Sequence, residues 1–481
     1  MKNILFLTIL LGSFSFVSCV DKHSNEKDVV SFKVIFGDAN GPVTPVCGNT
    51  EDDPCDFNLT EGSFSVPLSV RALNENLQTA STFGRTVLIS VVPSGILDKD
   101  DPHAKVLPDG RLVLAVALNQ GEWNGNINFR GAFGAVSIFV EDVGYEPAAD
   151  VVNSACYNIY PGPGCYAQDD DNPLSGTGAV GVSNYLYFMN PTIYDIQKPA
   201  DEDAVAEGIR DSDGSELNKF RIQVDAPEYT GDDGCPAGTA RLVVTQVSVT
   251  GFYVTDVCNR DPESGDLSPN YASLYVYNFN TPEELYRGDC LLSFQGAVDE
   301  FQGYTELKNP FWTVDTCHEE DPGCDVDEPK CADLVPAPIE LDDLDFGDPL
   351  TMERMESALV TIHNVTATTE FLRCDQNGDG VIDYDLASEK QCKYDCEDEV
   401  GCVVKEDYDV YFTWTVNLNN VEVGVVSKGI IGFDPEDEAN LGQSIYKITG
   451  TLKHLDFGSP AWIIIPRDPE DFCLTQTGCE E

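Results

Sequence analysis

Gly442-Gln443-Ser444-Ile445-Tyr446-Lys447-Ile448-Thr449-Gly450 repeats the spacing of Gly288-Asp289-Cys290-Leu291-Leu292-Ser293-Phe294-Gln295-Gly296. In each, two glycines at the same separation bracket a hydrophobic strand. The surroundings repeat as well. Ala240-Arg241-Leu242-Val243-Val244 begins a strand running to Val249, and Ser357-Ala358-Leu359-Val360-Thr361-Ile362 begins one running to Val365. After each glycine pair comes a turn with an aromatic residue, Phe301-Gln302-Gly303-Tyr304 or Leu455-Asp456-Phe457-Gly458, and then a last strand, Thr305–Leu307 or Ala461–Ile465. Short strands with glycine where one must bend sharply are compatible with a small closed barrel, the alternatives being a sandwich or glycines that mark ordinary β-turns. The chain therefore reads as two barrels, 216–318 and 339–473, joined by a Cys- and acid-rich linker, 319–338, and followed by a tail, 474–481.

Upstream, the apolar residues Phe64, Val66, Leu68 and Val70 recur at every second position, and so do Val87, Ile89 and Val91. Val136, Ile138 and Val140 do the same. Period-two patterns mark strands with one buried face. Turn-rich breaks such as Asp38-Ala39-Asn40-Gly41-Pro42 separate them, and about seven strands in this length suit a two-sheet sandwich. The fold class read from sequence is all-β: an N-terminal Ig-like β-sandwich over 30–144, then two OB-fold-like β-barrel domains. Between sandwich and barrels, 145–215 reads as a connector. Within it Tyr185–Phe188 and Thr192–Ile196 are expected as short strands, and Asp201–Ile209 as helix-compatible.

Two resemblances follow from these residues. Val66–Ala72, Gly84–Val92 and Asn119–Phe129 resemble bacterial Ig-like domains of surface proteins. Gly251-Phe252-Tyr253-Val254-Thr255-Asp256, with Tyr446–Gly450 through Trp462-Ile463-Ile464-Ile465-Pro466-Arg467, resembles OB-fold domains of secreted bacterial proteins, including those appended to extracellular endonucleases and phosphatases. The likeness spans about half the chain and carries no catalytic residue with it.

One loop has defined chemistry. Asp375-Gln376-Asn377-Gly378-Asp379-Gly380-Val381-Ile382-Asp383 places oxygen donors at alternate positions and a glycine at the sharp turn. That spacing aims oxygens at one hard cation. Asp375, Asn377, Asp379, the Val381 carbonyl, Asp383 and Asp385 are the expected ligands of a structural Ca²⁺. Leu386 stands where an EF-hand carries its bidentate Glu, so the loop resembles those of dockerins and thrombospondin type 3 repeats. It sits in an insertion, 371–405, between barrel strands.

The N-terminus reads as an export signal, 1–18. Lys2 precedes an apolar run from Ile4 to Phe16, too short to span a bilayer. Ser18-Cys19 resembles a bacterial lipobox, with Phe16 where Leu is usual, which makes Cys19 the expected lipid site and 19–29 a tether. The chain is then an exported, membrane-anchored lipoprotein of the outer membrane or cell surface. Cleavage without lipid and a retained anchor are the alternatives. Of 17 Cys, 16 remain after Cys19. Many are closely spaced, which suits disulfides in an oxidising compartment better than zinc. Cys47/Cys55, Cys156/Cys165, Cys317/Cys331 and Cys473/Cys479 are the candidate bridging residues.

With 83 acidic against 28 basic residues and a net charge of −55, the chain repels phosphate backbones, which excludes nucleic acid as a partner. His23, His103, His318, His363 and His454 fall in no recognised motif, and Ser183 lacks the second glycine of a nucleophile elbow. The expectation is a non-catalytic module for a protein or glycan partner, with Tyr275, Tyr277 and Trp312 as a candidate contact face. The alternative is an accessory or degenerate part of a secreted nuclease, phosphatase or polysaccharide-degrading system.

Overall fold

The computed structural model describes residues 29–37, 47–48, 50–55, 64–93, 95–107, 111–142, 178–209, 212–226, 235, 242–262, 264–316, 329–372, 396, 402–426, 432–456 and 460–479. Cys19, Cys156, Cys165, Cys317 and the expected calcium ligands Asp375, Asn377, Asp379, Val381, Asp383 and Asp385 lie outside them. The protein is mostly β-sheet, 50% strand and 11% helix, with a closed five-stranded barrel. Among the described residues no helix is long and apolar enough to cross a membrane.

The first unit is built from β1 (Ser31–Phe36), β2 (Phe64–Leu73), β3 (Thr86–Val92), β4 (Gly95–Leu97), β5 (Ala104–Val106), β6 (Leu112–Ala117), β7 (Glu122–Ala132), β8 (Ala135–Glu141), β9 (Val180–Val182) and β10 (Leu186–Tyr187). One sheet has the order β1-β2-β7-β4; the other runs β10-β8-β3-β6-β5, with β9 also on β8. The alternation read in sequence sets the buried face. Val66, Leu68 and Val70 of one sheet share a core with Val87, Ile89, Val136, Ile138 and Val140 of the other. The connector is shorter than expected, because 178–188 completes this unit. Val182 pairs with Phe139, and Gly181 lies so close to the Phe32 carbonyl that a Cβ would sit 2.4 Å from it.

Thr192–Ile196, expected as a strand, is a helix, α1 (Ile193–Gln197). Thr192 and Asp195 form a reciprocal capping box, which satisfies the first free amides locally. Ile193 and Ile196, three apart, then bury the same face. α2 (Glu202–Ala206) follows, capped by Asp201.

The second unit contains β11 (Arg221–Asp225), β12 (Leu242–Ser248), β13 (Gly251–Asp256), β14 (Ser273–Tyr277), β15 (Cys290–Phe301) and β16 (Tyr304–Asp315). β12, β13 and β14 form an antiparallel meander; β14 runs parallel to β16; β16 pairs with β15; and β15 returns to β12, closing the ring. β11 lies outside the ring on β15. The last strand, expected as Thr305–Leu307, extends to Asp315 because it pairs with β15 along its whole length.

The third unit comprises β17 (Ile339–Glu340), α3 (Pro349–Arg354), β18 (Leu359–Ala367), β19 (Glu370–Leu372), β20 (Cys402–Val404), α4 (Lys405–Tyr411), β21 (Thr413–Leu418), β22 (Val421–Val426), β23 (Ser444–Asp456), β24 (Pro460–Ile465) and β25 (Phe472–Cys473). Its ring is β18-β21-β22-β24-β23 and back to β18, with β22 parallel to β24. The order matches that of the second unit. The repeated glycines occupy equivalent places. Gly288 and Gly442 have φ of +92° and +75°, a conformation that other residues adopt only with strain. Gly296 and Gly450 sit inside the long strands where backbones cross closely.

The structure joins Cys47 to Cys55, Cys235 to Cys258, Cys290 to Cys331, Cys396 to Cys402 and Cys473 to Cys479. Cys331, grouped in sequence with Cys317 without an assigned partner, is bonded to Cys290, with Cα atoms 5.4 Å apart. The reason is local packing. The Cys331 amide donates to the Gly288 carbonyl at 2.8 Å, which lays the linker across the start of β15.

Candidate functional site

Three distant segments converge between the two barrels. The first is the hairpin of β15 and β16, which presents Glu300 and turns through Gln302 and Gly303, both at positive φ. The second is α3, started by Asp348 as cap and Pro349 in the first turn. It drops Met352 into the core of the second barrel, and Glu353 is buried too, 3% exposed. Glu356 follows at 1%. The third is β23, which carries Lys453 and His454. Asp213 approaches from the segment that leads into the first barrel.

His454 is held on three sides. Its ring stacks on Trp462, with centroids 4.3 Å apart and planes 14° apart. Its Nδ1 lies 2.8 Å from the Gly303 carbonyl and 3.5 Å from Asp213 Oδ2. One atom each from Asp213, Glu353 and His454 lie within 4.8 Å of one another.

More acid surrounds this trio. Glu300 Oε1 accepts from the Ser215 amide at 2.7 Å and from Thr305 Oγ1 at 2.8 Å. Glu356 accepts one bond on Oε1, from the Thr305 amide at 3.1 Å. The second carboxylate oxygens of Glu300 and Glu356 are buried with no hydrogen-bond partner. Burial, and then the Asp213 and Asp299 charges, push Glu300 up to about 7. Glu353 and Glu356 are driven well above the ordinary carboxylate range, first by burial and then by their acidic neighbours. Half-buried Lys453 lies over the Tyr304 ring at 5.2 Å, and burial lowers its pKa against the pull of Glu306 and Glu356. Such a nest holds a proton or a cation in preference to bare charge.

A pH dependence follows. Between about pH 4.5 and about 7 the native chain binds the Glu300 proton more tightly than the unfolded chain does. Stability from this group is fully present below that window and falls as pH rises through it. With chelator present, denaturant midpoints taken from pH 5 to pH 8 should fall further for the native sequence than for Glu300→Gln. The difference is on the order of 3 kcal/mol. Parallel pH profiles for the two proteins would contradict it.

Direct bonds bind the barrels around the nest. Thr451 Oγ1 donates to Gln246 at 2.5 Å and Ser357 Oγ to the Tyr304 hydroxyl at 3.1 Å, while Arg354 ties α3 to Glu202 of α2 at 3.1 Å. Tyr275, expected in an exposed contact face, is buried here with Tyr253 and Tyr304. Trp312 packs edge-on against Phe252. Both faces of β13 and β14 are covered, one by the barrel core and the other by the neighbouring barrel.

A second concavity, about 600 Å³, opens between the sandwich and the first barrel. Its wall includes Glu51 and Pro54 of the Cys47–Cys55 loop, which is fixed by hydrogen bonds from the Cys55 amide to the Tyr187 carbonyl and from the Met189 amide to the Cys55 carbonyl. Exposed Met189, half-buried Tyr187 and the polar side chains of Asn190, Arg221 and Gln223 line it.

Sequence reading placed His454 in no motif and most acids on the surface. The fold brings His454 to Asp213 and Glu353. The one local sign was Met352-Glu353-Arg354-Met355-Glu356, where two acids alternate with buried methionines. No known protein family, no characterised protein and no solved structure matches this chain.

Proposed function

We propose that the chain is a non-catalytic binding module of the cell envelope that holds a glycan in the groove between sandwich and first barrel. The groove carries this reading. Amides and a guanidinium match sugar hydroxyls, while tyrosine and methionine offer apolar surface to ring faces, the mix that small-ligand sites use. Export, a lipid on Cys19 and structural Ca²⁺ at Asp375–Asp385 belong to the same proposal, supported by the signal-like start and the alternating oxygen donors. We read the sandwich as Ig-like and both rings as OB-like. Support for the second is the shared order, a three-stranded meander whose third strand runs parallel to the fifth, with the fourth returning to the first. OB barrels bind oligosaccharides and proteins as well as nucleic acids.

A glycan array followed by calorimetric titration of the strongest ligand tests this. Arg221→Ala with Gln223→Ala should weaken binding at least about tenfold, the loss of two hydrogen-bonding side chains. Retention of no glycan, or unchanged affinity in the double variant, would overturn it.

A further inference from the structure

Beyond glycan binding, we propose that Asp213, Glu353 and His454 bind one divalent transition-metal ion of the zinc or manganese type at the junction of the two barrels. Their donor atoms already lie within 4.8 Å of one another, so small side-chain movements bring them to one ion. An independent sign comes from Glu356. It is 1% exposed, its Oε2 has no hydrogen-bond partner, and its carboxylate lies within electrostatic range of Glu353, Glu300 and Asp213. A buried carboxylate oxygen left so is costly unless a cation or proton meets it.

The imidazole is prepared in the way metal sites prepare it. A carbonyl can only accept, so the Gly303 contact places the proton on Nδ1 and leaves the lone pair of the neutral ring on Nε2. Stacking on Trp462 fixes the plane. The donor set selects the ion class. Carboxylate oxygens alone would suit Ca²⁺ or Mg²⁺, but an imidazole nitrogen favours the first-row transition ions. Charge agrees: Asp213, Glu300, Glu353 and Glu356 share one acidic nest, and a divalent ion offsets much of that charge. The ion would tie the segment entering the first barrel to α3 and β23 of the second.

The test uses the full chain carrying Asp375→Ala and Asp379→Ala, so that the expected calcium loop is silent. After dialysis against EDTA, titration with ZnCl₂ and with MnCl₂ is followed by calorimetry and by elemental analysis. The expected result is one tightly held zinc or manganese ion per chain and a raised melting temperature. His454→Gln and Glu353→Gln should each weaken binding at least about tenfold, as loss of a ligand does. His454→Gln should also change the visible spectrum of the Co²⁺-loaded protein. If a buried variant fails to fold, Asp213→Asn, at a position only partly buried, replaces it. Absence of zinc and manganese binding, binding of Ca²⁺ alone, or unchanged affinity in the variants would overturn the proposal.

Discussion

Gly450→Ala unfolds the second barrel or weakens it by about 3 kcal/mol or more, beyond what overpacking usually costs. The added Cβ would lie 2.4 Å from the Ile465 carbonyl oxygen, 2.5 Å from its carbon and 2.7 Å from the Pro466 nitrogen. All three are backbone atoms, so no rotamer change relieves the contact. Relief requires β23 and β24 to separate where Thr451 pairs with Ile465, beside the pairing of Gly450 with Val360 that closes the ring. Gly296→Ala in the first barrel should cost less. There, two of the three nearest atoms belong to the Leu307 side chain, at 2.6 and 2.7 Å. Gly442→Ala meets open space and bears only the strain of φ +75°, about 1 kcal/mol. Urea titrations of the three variants should give that order; equal midpoints for Gly450→Ala and Gly442→Ala would contradict it.

Trp414→Ala should destabilise the same barrel by about 3–5 kcal/mol, the range for deleting a large buried aromatic. Trp414 is fully buried and stacks on Phe433, with centroids 5.0 Å and planes 23° apart. Phe433 in turn packs on Phe472, so the cavity would open the contact between the ring and the C-terminal β25. The indole Nε1 has no hydrogen-bond partner, so the loss is one of packing alone. Trp414→Phe should therefore recover more than half the deficit. A Trp414→Phe protein as unstable as Trp414→Ala would show that this reading of the core is wrong.

The sandwich strands were legible because the apolar residues facing the shared core, such as Val66, Leu68 and Val70, recur at every second position, and the period announces the buried side. The glycine pairs were legible too, since backbone crossings admit little else. What sequence could not show was contact between units. Tyr275 was read with Tyr277 and Trp312 as a candidate contact face, but its outer face is covered by the second barrel, a fact no strand carries in itself. The pairing of Cys290 with Cys331 spans 41 residues, out of reach of a rule that joins near neighbours. Thr192–Ile196 misled because its β-branched and aromatic residues favour a strand, whereas the reciprocal bonds of Thr192 and Asp195 start a helix. The acidic nest was hidden for a further reason. Asp213, Glu300, the Glu353/Glu356 pair and His454 lie far apart in the chain, and among 83 acids only the fold brings these together.

The central claim, that the groove between sandwich and first barrel is where this protein meets its partner, is open to one direct measurement. A photoreactive amino acid placed at exposed Met189, beside the groove, would be irradiated on intact cells. A control would carry it at Val249, 78% exposed in the turn between β12 and β13, at the other end of β13 from the groove residue Asp256. The expected result is a single glycan-bearing adduct from Met189, absent from Val249 and lost with Arg221→Ala and Gln223→Ala. The same adduct from both positions, or none from Met189, would contradict it.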